Sequence, residues 1–385
     1  MWSKNASLAG GTLSLAGIPA AQLAKEFGTP TFFLDEDAYR ARALAWHNEL
    51  QSEFGPNAGT IYYAAKSFIC TAVAQWIADI GIGIDVCTGG ELAVALNGGI
   101  DPKKIEVHGN NKSVAEIDRA VSVGVKTIVM DSLFEIERVA AAARKHGVRQ
   151  AVMLRLTPGI EAHTHEKIST AHEDVKFGFS IASGAAWAAV EAVTTHSELE
   201  LLGVHCHIGS QIFGSEAHEI ATDRLIGFMA KYRDAYGKEL PELDLGGGFG
   251  IAYIDGDVTV EPSDVLPQIH AAVKKACAQH NLAIPLVSLE PGRNIVGPTM
   301  FTLYEVGTVK DVVVDGGKVR KYVSVDGGMS DNARTALYDA EYTAVIAQRA
   351  STAPVALTRL VGKHCETGDI IINEIQLPSD IAPGD

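Results

Sequence analysis

The sequence predicts an α/β chain in two parts: a (β/α)8 TIM-type barrel and a smaller β domain formed by both termini. Eight short apolar runs, each closing on a polar or glycine residue, recur between Ile61 and Arg293. Segments of helical character separate most of them, and after Arg293 the texture changes to β-branched runs with an Asp-Gly turn. Strands that alternate with helices build a parallel sheet, and eight such units close it into a barrel. A doubly wound open sheet is the competing architecture on pattern alone.

In chain order the runs are Ile61–Lys66, Gly83–Cys87, Ile105–Asn110, Thr127–Asp131, Ala151–Thr157, Leu201–Ser210, Leu243–Gly250 and Leu286–Arg293. Gly89–Leu96 and Leu133–Arg144 read as two of the intervening helices. Later spacings are wider, so loops or extra helices are expected around strands five to seven. The stretch Tyr304–Val319, with Asp315-Gly316 as its turn, reads as a hairpin. Residues 1 to about 35, including Thr12–Leu15 and Pro30–Leu34, have no place among the eight units and are free to pair with it. The barrel is therefore assigned to 36–294, and a discontinuous β domain to 1–35 and 295–385.

Hydrophobic content of 47% with 21% charged residues supports a real core rather than a disordered chain. A net charge of -15 would repel phosphate backbones, so nucleic acid is not an expected partner. No run of about 18 apolar residues suggests a membrane span. The five cysteines lack any Cys-x-x-Cys pair, which argues against a disulfide framework and a structural zinc site. The start, Met1-Trp2-Ser3-Lys4-Asn5, lacks a signal peptide's long apolar core, so a cytoplasmic location is expected.

Barrel active sites lie at the C-terminal ends of the strands. Those ends read Lys66, Asp85, His108 with Asn110, Asp131, Arg155, His205 with His207, Gly246-Gly247-Gly248, and Glu290 with Arg293. Singly, each has a bland explanation: a solvated lysine, a helix-capping aspartate, a tight glycine turn. Polar groups at all eight ends are harder to dismiss. Barrel phosphate sites are often built from the loops after strands seven and eight, where Gly246-Gly247-Gly248-Phe249-Gly250 falls. Glycine lets backbone N–H groups converge on an anion, and Ser210 adds a hydroxyl.

An amine, a phosphate cradle and a carboxylate facing one another suggest pyridoxal phosphate. Lys66 would carry it as a Schiff base, the glycines would hold its phosphate, and Glu290 would keep the pyridine nitrogen protonated. His207 would stack on the ring, and the small Ala64 leaves room beside Lys66. A rival reads His205-Cys206-His207 as metal ligands. Strands seven and eight supply mainly glycines and one glutamate to complete such a site, so no metal is expected. His163 and His165 read as solvated or as part of a lid.

The segments Tyr63–Ser67, Asp85–Leu92, His108–Ser113, His205–Gln211, Gly246–Gly248, Glu290–Arg293 and Cys365–Asp369 together resemble the barrel-type (fold type III) pyridoxal-phosphate decarboxylases of basic amino acids, and within them the diaminopimelate decarboxylases. The resemblance covers nearly the whole chain and implies that the barrel carries a β-sandwich domain built from both termini. It implies that Lys66 and His207 meet the cofactor, that Asp85, Ser210, Gly247, Gly248, Gly292 and Arg293 line its site, and that Glu290 pairs with the ring nitrogen. Cys365 resembles the family's proton donor and Glu366 a substrate contact, both reaching a partner subunit's site, so a homodimer with shared active sites is implied. Arg293, Arg334 and Tyr338 match positions that hold the substrate's non-reacting carboxylate, for which guanidinium forks are suited. An ornithine or arginine decarboxylase would instead want an acidic group there.

The implied activity is decarboxylation of meso-2,6-diaminopimelate to L-lysine. A decarboxylase of another basic amino acid, a racemase on the same barrel, and a catalytically silent regulatory relative are the alternatives. Retention of Lys66, His207, Glu290 and Cys365 together favours the enzyme. Family members continue past the position of Asp385 with a β segment that carries a tyrosine near the cofactor, so the β domain is expected to be incomplete here.

Overall fold

The computed structural model describes residues 2–159 and 176–385. His163, His165 and the suspected lid around His163 to Glu173 lie outside the described residues. The chain divides into two compact units, one of Arg40–Gly250 with Val260–Val296 and one of Met1–Tyr39, Ile251–Thr259 and Gly297–Asp385. Ile251–Thr259, inside the range 36–294 expected for the barrel, thus clusters with the terminal segments.

The first unit is a closed parallel barrel. Its strands are β1 (Gly59–Ala64), β2 (Gly83–Val86), β3 (Ile105–Val107), β4 (Thr127–Met130), β5 (Gln150–Thr157), β6 (Leu199–His205), β7 (Glu242–Asp244) and β8 (Leu286–Leu289). Each pairs in parallel with its sequence neighbour, and the β8 to β1 pairing, Val287 opposite Gly59, closes the ring. Parallel strands covered on both faces read as unbroken apolar runs rather than alternation. All four residues of β4 are buried accordingly. A two-residue strand, Phe179–Ser180, adds to β5 from outside the ring.

The helices between strands start and stop where local chemistry says they should. Ser113 and Glu116 form a reciprocal capping box for Val114–Val123, which ends at Gly124 in the left-handed region. Ser132 Oγ caps Leu133–His146 by accepting Glu135 N–H, and Gly147 ends it. Several strands are shorter than the apolar runs that announced them. The chain leaves the ladder after Ala64, His205, Asp244 and Leu289, so Lys66, His207, Ser210, the glycines and Glu290 stand on the turns just beyond.

The second unit holds three sheets. Ala6–Ala9, Thr12–Leu15 and Ile18–Pro19 form an antiparallel meander. Thr31–Leu34 pairs antiparallel with Met300–Leu303, which realises the expected union of the two termini. Val306–Val313 and Val319–Val325 form the expected hairpin, extended by Val355–Val361 and Ile370–Pro378 into a four-stranded sheet. One core gathers Val306, Val323, Val325, Leu360, Ile371, Ile372, Leu377 and Ile381, and a second gathers Leu13, Leu15, Leu23 and Leu303. A cavity of about 280 Å³ opens beside both, lined by residues that include Leu13, Leu303, Leu360, Ile372 and Ala344.

Candidate active site

Lys66 sits in a one-turn 3-10 helix, Ala65–Ser67, immediately after β1. Ser67 Oγ donates to Ala64 O at 2.7 Å, and Tyr63 OH donates to Phe68 O at 2.6 Å, which fixes the turn from both sides. A Cβ at Gly292 would stand 2.7 Å from Ala64 Cβ and 2.9 Å from Ser67 Oγ, so only glycine lets the loop after β8 close on this turn. Lys66 is exposed at the mouth of the barrel, yet protein crowds it on all sides. That crowding disfavours its charge, but Asp85 and then Glu290 outweigh it and hold the ammonium above its ordinary value.

Beneath the lysine lie charged groups that an ordinary core would exclude. Asp85 is fully buried at the end of β2, and burial pushes its carboxyl up to about 8 against the opposing pull of Lys66. Glu290 is 2% exposed; burial would push it up too, but His108, His205 and Lys66 bring it well below the usual range. So Glu290 is the carboxylate that stays ionised and Asp85 the one that keeps its proton. Glu290 Oε1 is buried without a hydrogen-bond partner, although His205 Nε2 lies 3.0 Å and His108 Nε2 3.2 Å away. The two imidazoles meet edge to face, centroids 4.8 Å apart.

The glycine loop is laced to the loop after β6. Ile212 N donates to Gly248 O and Gly250 N to Ile212 O, each at 2.9 Å. A Cβ at Gly247 would collide with Glu290 O, and one at Gly248 with Gly209 O beside Ser210. Gly248, with φ +104°, has a second reason to lack a side chain. Asp244 Oδ1 accepts Gly246 N–H at 2.7 Å, and His207 Nδ1 accepts Gly247 N–H at 3.3 Å. The second bond places the proton of a neutral His207 on Nε2, and burial followed by Lys66 keeps that ring well below its ordinary value. Arg293 opens the short helix Arg293–Val296, and the next residue, Asn294, ties Gly250 O and Val260 O to Arg42 and Trp46.

The remaining predicted residues belong to the second unit. Arg334 and Tyr338 begin and end the helix Arg334–Tyr338. The Arg334 guanidinium lies 4.6 Å from the Tyr253 ring centre and donates to Tyr342 OH at 2.8 Å. Cys365 and Glu366 are exposed on the loop before Ile370–Pro378. Asp369 anchors that loop by accepting His364 N–H at 2.7 Å and Met329 N–H at 2.5 Å, which binds it to the chain leading to Arg334. The structure therefore brings Lys66, Asp85, His207, Ser210, Gly247, Gly248, Glu290, Gly292 and Arg293 into one unit and Arg334, Tyr338, Cys365 and Glu366 into the other.

Sequence reasoning paired His205 with His207 as the metal-ligand alternative. Instead His205 closes on His108 and Glu290, while His207 turns to the glycine loop, because β6 ends between the two histidines. His108, His205, Glu106, Asp244 and Tyr253 carried no assigned role. The first two were visible as strand ends; Glu106 and Asp244 had no signal beyond a charge inside an apolar run.

The donor set suits pyridoxal phosphate: an amine at the barrel mouth, a glycine turn packed too closely for side chains, and an ionised buried carboxylate lacking an aligned partner. Comparison with known proteins agrees. The pyridoxal binding domain of the pyridoxal-dependent decarboxylases matches residues 37–297. The chain is 51% identical over 382 residues to a diaminopimelate decarboxylase of Mycobacterium tuberculosis, covering 97% of this chain and 84% of that one. It is 44% identical over 386 residues to the Corynebacterium efficiens counterpart, covering 100% and 83%. The crystal structure of diaminopimelate decarboxylase from M. jannaschii in co-complex with L-lysine superposes with a TM-score of 0.89 at 27% identity, covering 100% of this chain and 87% of that one. Half the sequence is thus shared with named relatives along almost its entire length: the chain belongs to the pyridoxal-dependent decarboxylase family, in its diaminopimelate decarboxylase branch, with pyridoxal 5'-phosphate as cofactor.

Proposed function

We propose that this chain decarboxylates meso-2,6-diaminopimelate to L-lysine, the last step of lysine biosynthesis, in the cytoplasm as a homodimer. The observation that carries the reading is the ring of groups at the barrel mouth, where the Lys66 amine, the neutral His207 and the ionised Glu290 sit on loops packed through Gly247, Gly248 and Gly292. Bound there, the cofactor supplies the electron sink that accepts the pair left when carbon dioxide departs.

The chain's own residues do the rest. Lys66 anchors the cofactor, Ser210 and the glycine turn take its phosphate with Gly292 and Arg293 close by, His207 lies against its ring, and Asp85 and Glu290 set the charge beneath it. Arg293, Arg334 and Tyr338 hold the carboxylate that does not react, and the tyrosine-flanked position of Arg334 keeps its fork oriented. Cys365 returns a proton to the substrate carbon and Glu366 contacts the substrate, each from an exposed loop suited to reach a partner subunit's site.

The test is carbon dioxide release from meso-diaminopimelate, lysine, ornithine and arginine with pyridoxal phosphate added. Release from meso-diaminopimelate alone is expected. Release only from ornithine would overturn the substrate, and cofactor binding without release from any of the four would make the chain a silent relative.

A further inference from the structure

The barrel interior below Glu290 is more polar than a cofactor anchor alone requires. One oxygen each from Glu106, Asp244 and Glu290 lies within 4.8 Å of the others, and all three residues are buried. Three carboxylates that close cannot all be ionised in a dry interior. Burial pushes Glu106 up to about 8 and holds Asp244 well above its ordinary value, so these two keep their protons and one negative charge remains, on Glu290.

Two imidazoles then crowd a single atom of that carboxylate. His205 Nε2 is 3.0 Å and His108 Nε2 3.2 Å from the same Oε1. The histidines come from β6 and β3, which are not neighbours in the ring, so they approach from different sides. His108 is 3% and His205 1% exposed, and burial keeps both rings on the neutral side. The other titratable groups that act on Glu290 are Lys66 after β1, Asp85 from β2 with Cys87 after it, Glu106 from β3, Cys206 and His207 after β6 and Asp244 from β7, while Arg155 from β5 acts on the two histidines.

We infer that His108 and His205 are positioning residues for Glu290: their Nε2 atoms stand 3.2 and 3.0 Å from Oε1, short of hydrogen-bond alignment, and turn their N–H groups onto it to fix the carboxylate's rotation while Oε2 meets the cofactor's ring nitrogen. A neutral imidazole on each side offers an N–H donor to the carboxylate without adding a charge that would compete with the protonated ring. Glu106 and Asp244, as neutral acids below, give the carboxylate a polar floor with no second anion.

This inference rests on the cofactor reading above, and the experiment separates the two. The purified protein is titrated with pyridoxal phosphate, and cofactor affinity and the pH dependence of the bound cofactor's visible band are compared for wild type, His205→Leu, His108→Leu, His205→Gln, Glu290→Gln and the double variant His205→Leu/Glu290→Gln. Each leucine variant is expected to weaken cofactor binding by about tenfold, the scale of one hydrogen bond to a charged group, and to bring the band's titration toward neutral pH. His205→Gln, which keeps an N–H donor near the same place and preserves the fold, is expected to restore most of both. In the Glu290→Gln background the histidine change is expected to matter less than about twofold, because its target is gone.

A full additional loss in that background would overturn the positioning role, since the histidine would then act independently of Glu290. Retention of one zinc ion per chain by wild-type apoprotein, lost in His205→Gln, would also overturn it by making the cluster a metal site. If wild type binds no pyridoxal phosphate, the cofactor reading fails first; if it binds and only Glu290→Gln matters, the inference fails alone.

Discussion

The two units solve opposite packing problems. The barrel is closed and dense, and it gathers Asp85, Glu106, Asp244, Glu290, His108 and His205 in its interior, close enough to set one another's charge. Among the described residues the β unit buries no comparable cluster, and it leaves about 280 Å³ beside its core. Charge buried in a tight frame is positioned and costly to disturb, whereas loops and an open cavity give reach and room. The groups proposed to hold the cofactor accordingly lie in the first, with Arg293, and the other groups proposed for substrate and proton delivery lie in the second.

That contrast can be broken by experiment. The largest effect is expected from Cys365→Ala, which should lower turnover by roughly a hundredfold, the scale of a lost proton donor, while pyridoxal phosphate still binds as in wild type. Loss of cofactor binding would show that the loop does not divide its work from the barrel's as argued. Arg334→Ala should raise KM for meso-diaminopimelate by about tenfold or more with little change in kcat, read from steady-state rates. An unchanged KM would remove Arg334 from the substrate site.

Glu106→Gln tests the barrel's buried acids through pH. A carboxyl raised by burial, with Lys126 opposing, gives its full stability below the unfolded value of 4.5 and loses it as pH rises to about 8. Relative to wild type, Glu106→Gln should therefore become progressively more stable by thermal melting between about pH 5 and pH 9. A constant difference would mean that Glu106 is ionised throughout. The smallest effects are packing effects of opposite sign. Ala74→Leu, at a fully buried helix position in the barrel unit, should cost about 1–3 kcal/mol. Ala344→Val, on the cavity wall, should gain up to about 1 kcal/mol.

What could be read from the sequence follows the same division. Strands β1 to β8 were legible because parallel strands covered on both faces leave continuous apolar runs, and their ends were legible because chemistry collects there. The convergence of His108 and His205 on Glu290 was not, since β3 and β6 meet only across the closed ring. Asp244 looked like a strand residue, yet it caps the glycine turn through Gly246. Lys66 proved to stand on a 3-10 turn rather than in a strand, a shift set by Ser67 and Tyr63. Tyr253 was hidden for another reason: its segment falls between barrel elements in sequence but packs in the other unit, against Arg334.

The central claim is that Lys66 holds the cofactor, and the direct test is borohydride trapping of pyridoxal phosphate on the protein followed by peptide mapping. The phosphopyridoxyl group should be found on the peptide containing Lys66 and should vanish in Lys66→Ala. Undiminished labelling of Lys66→Ala, or labelling of wild type at Lys112 or Lys126 instead, would contradict the account.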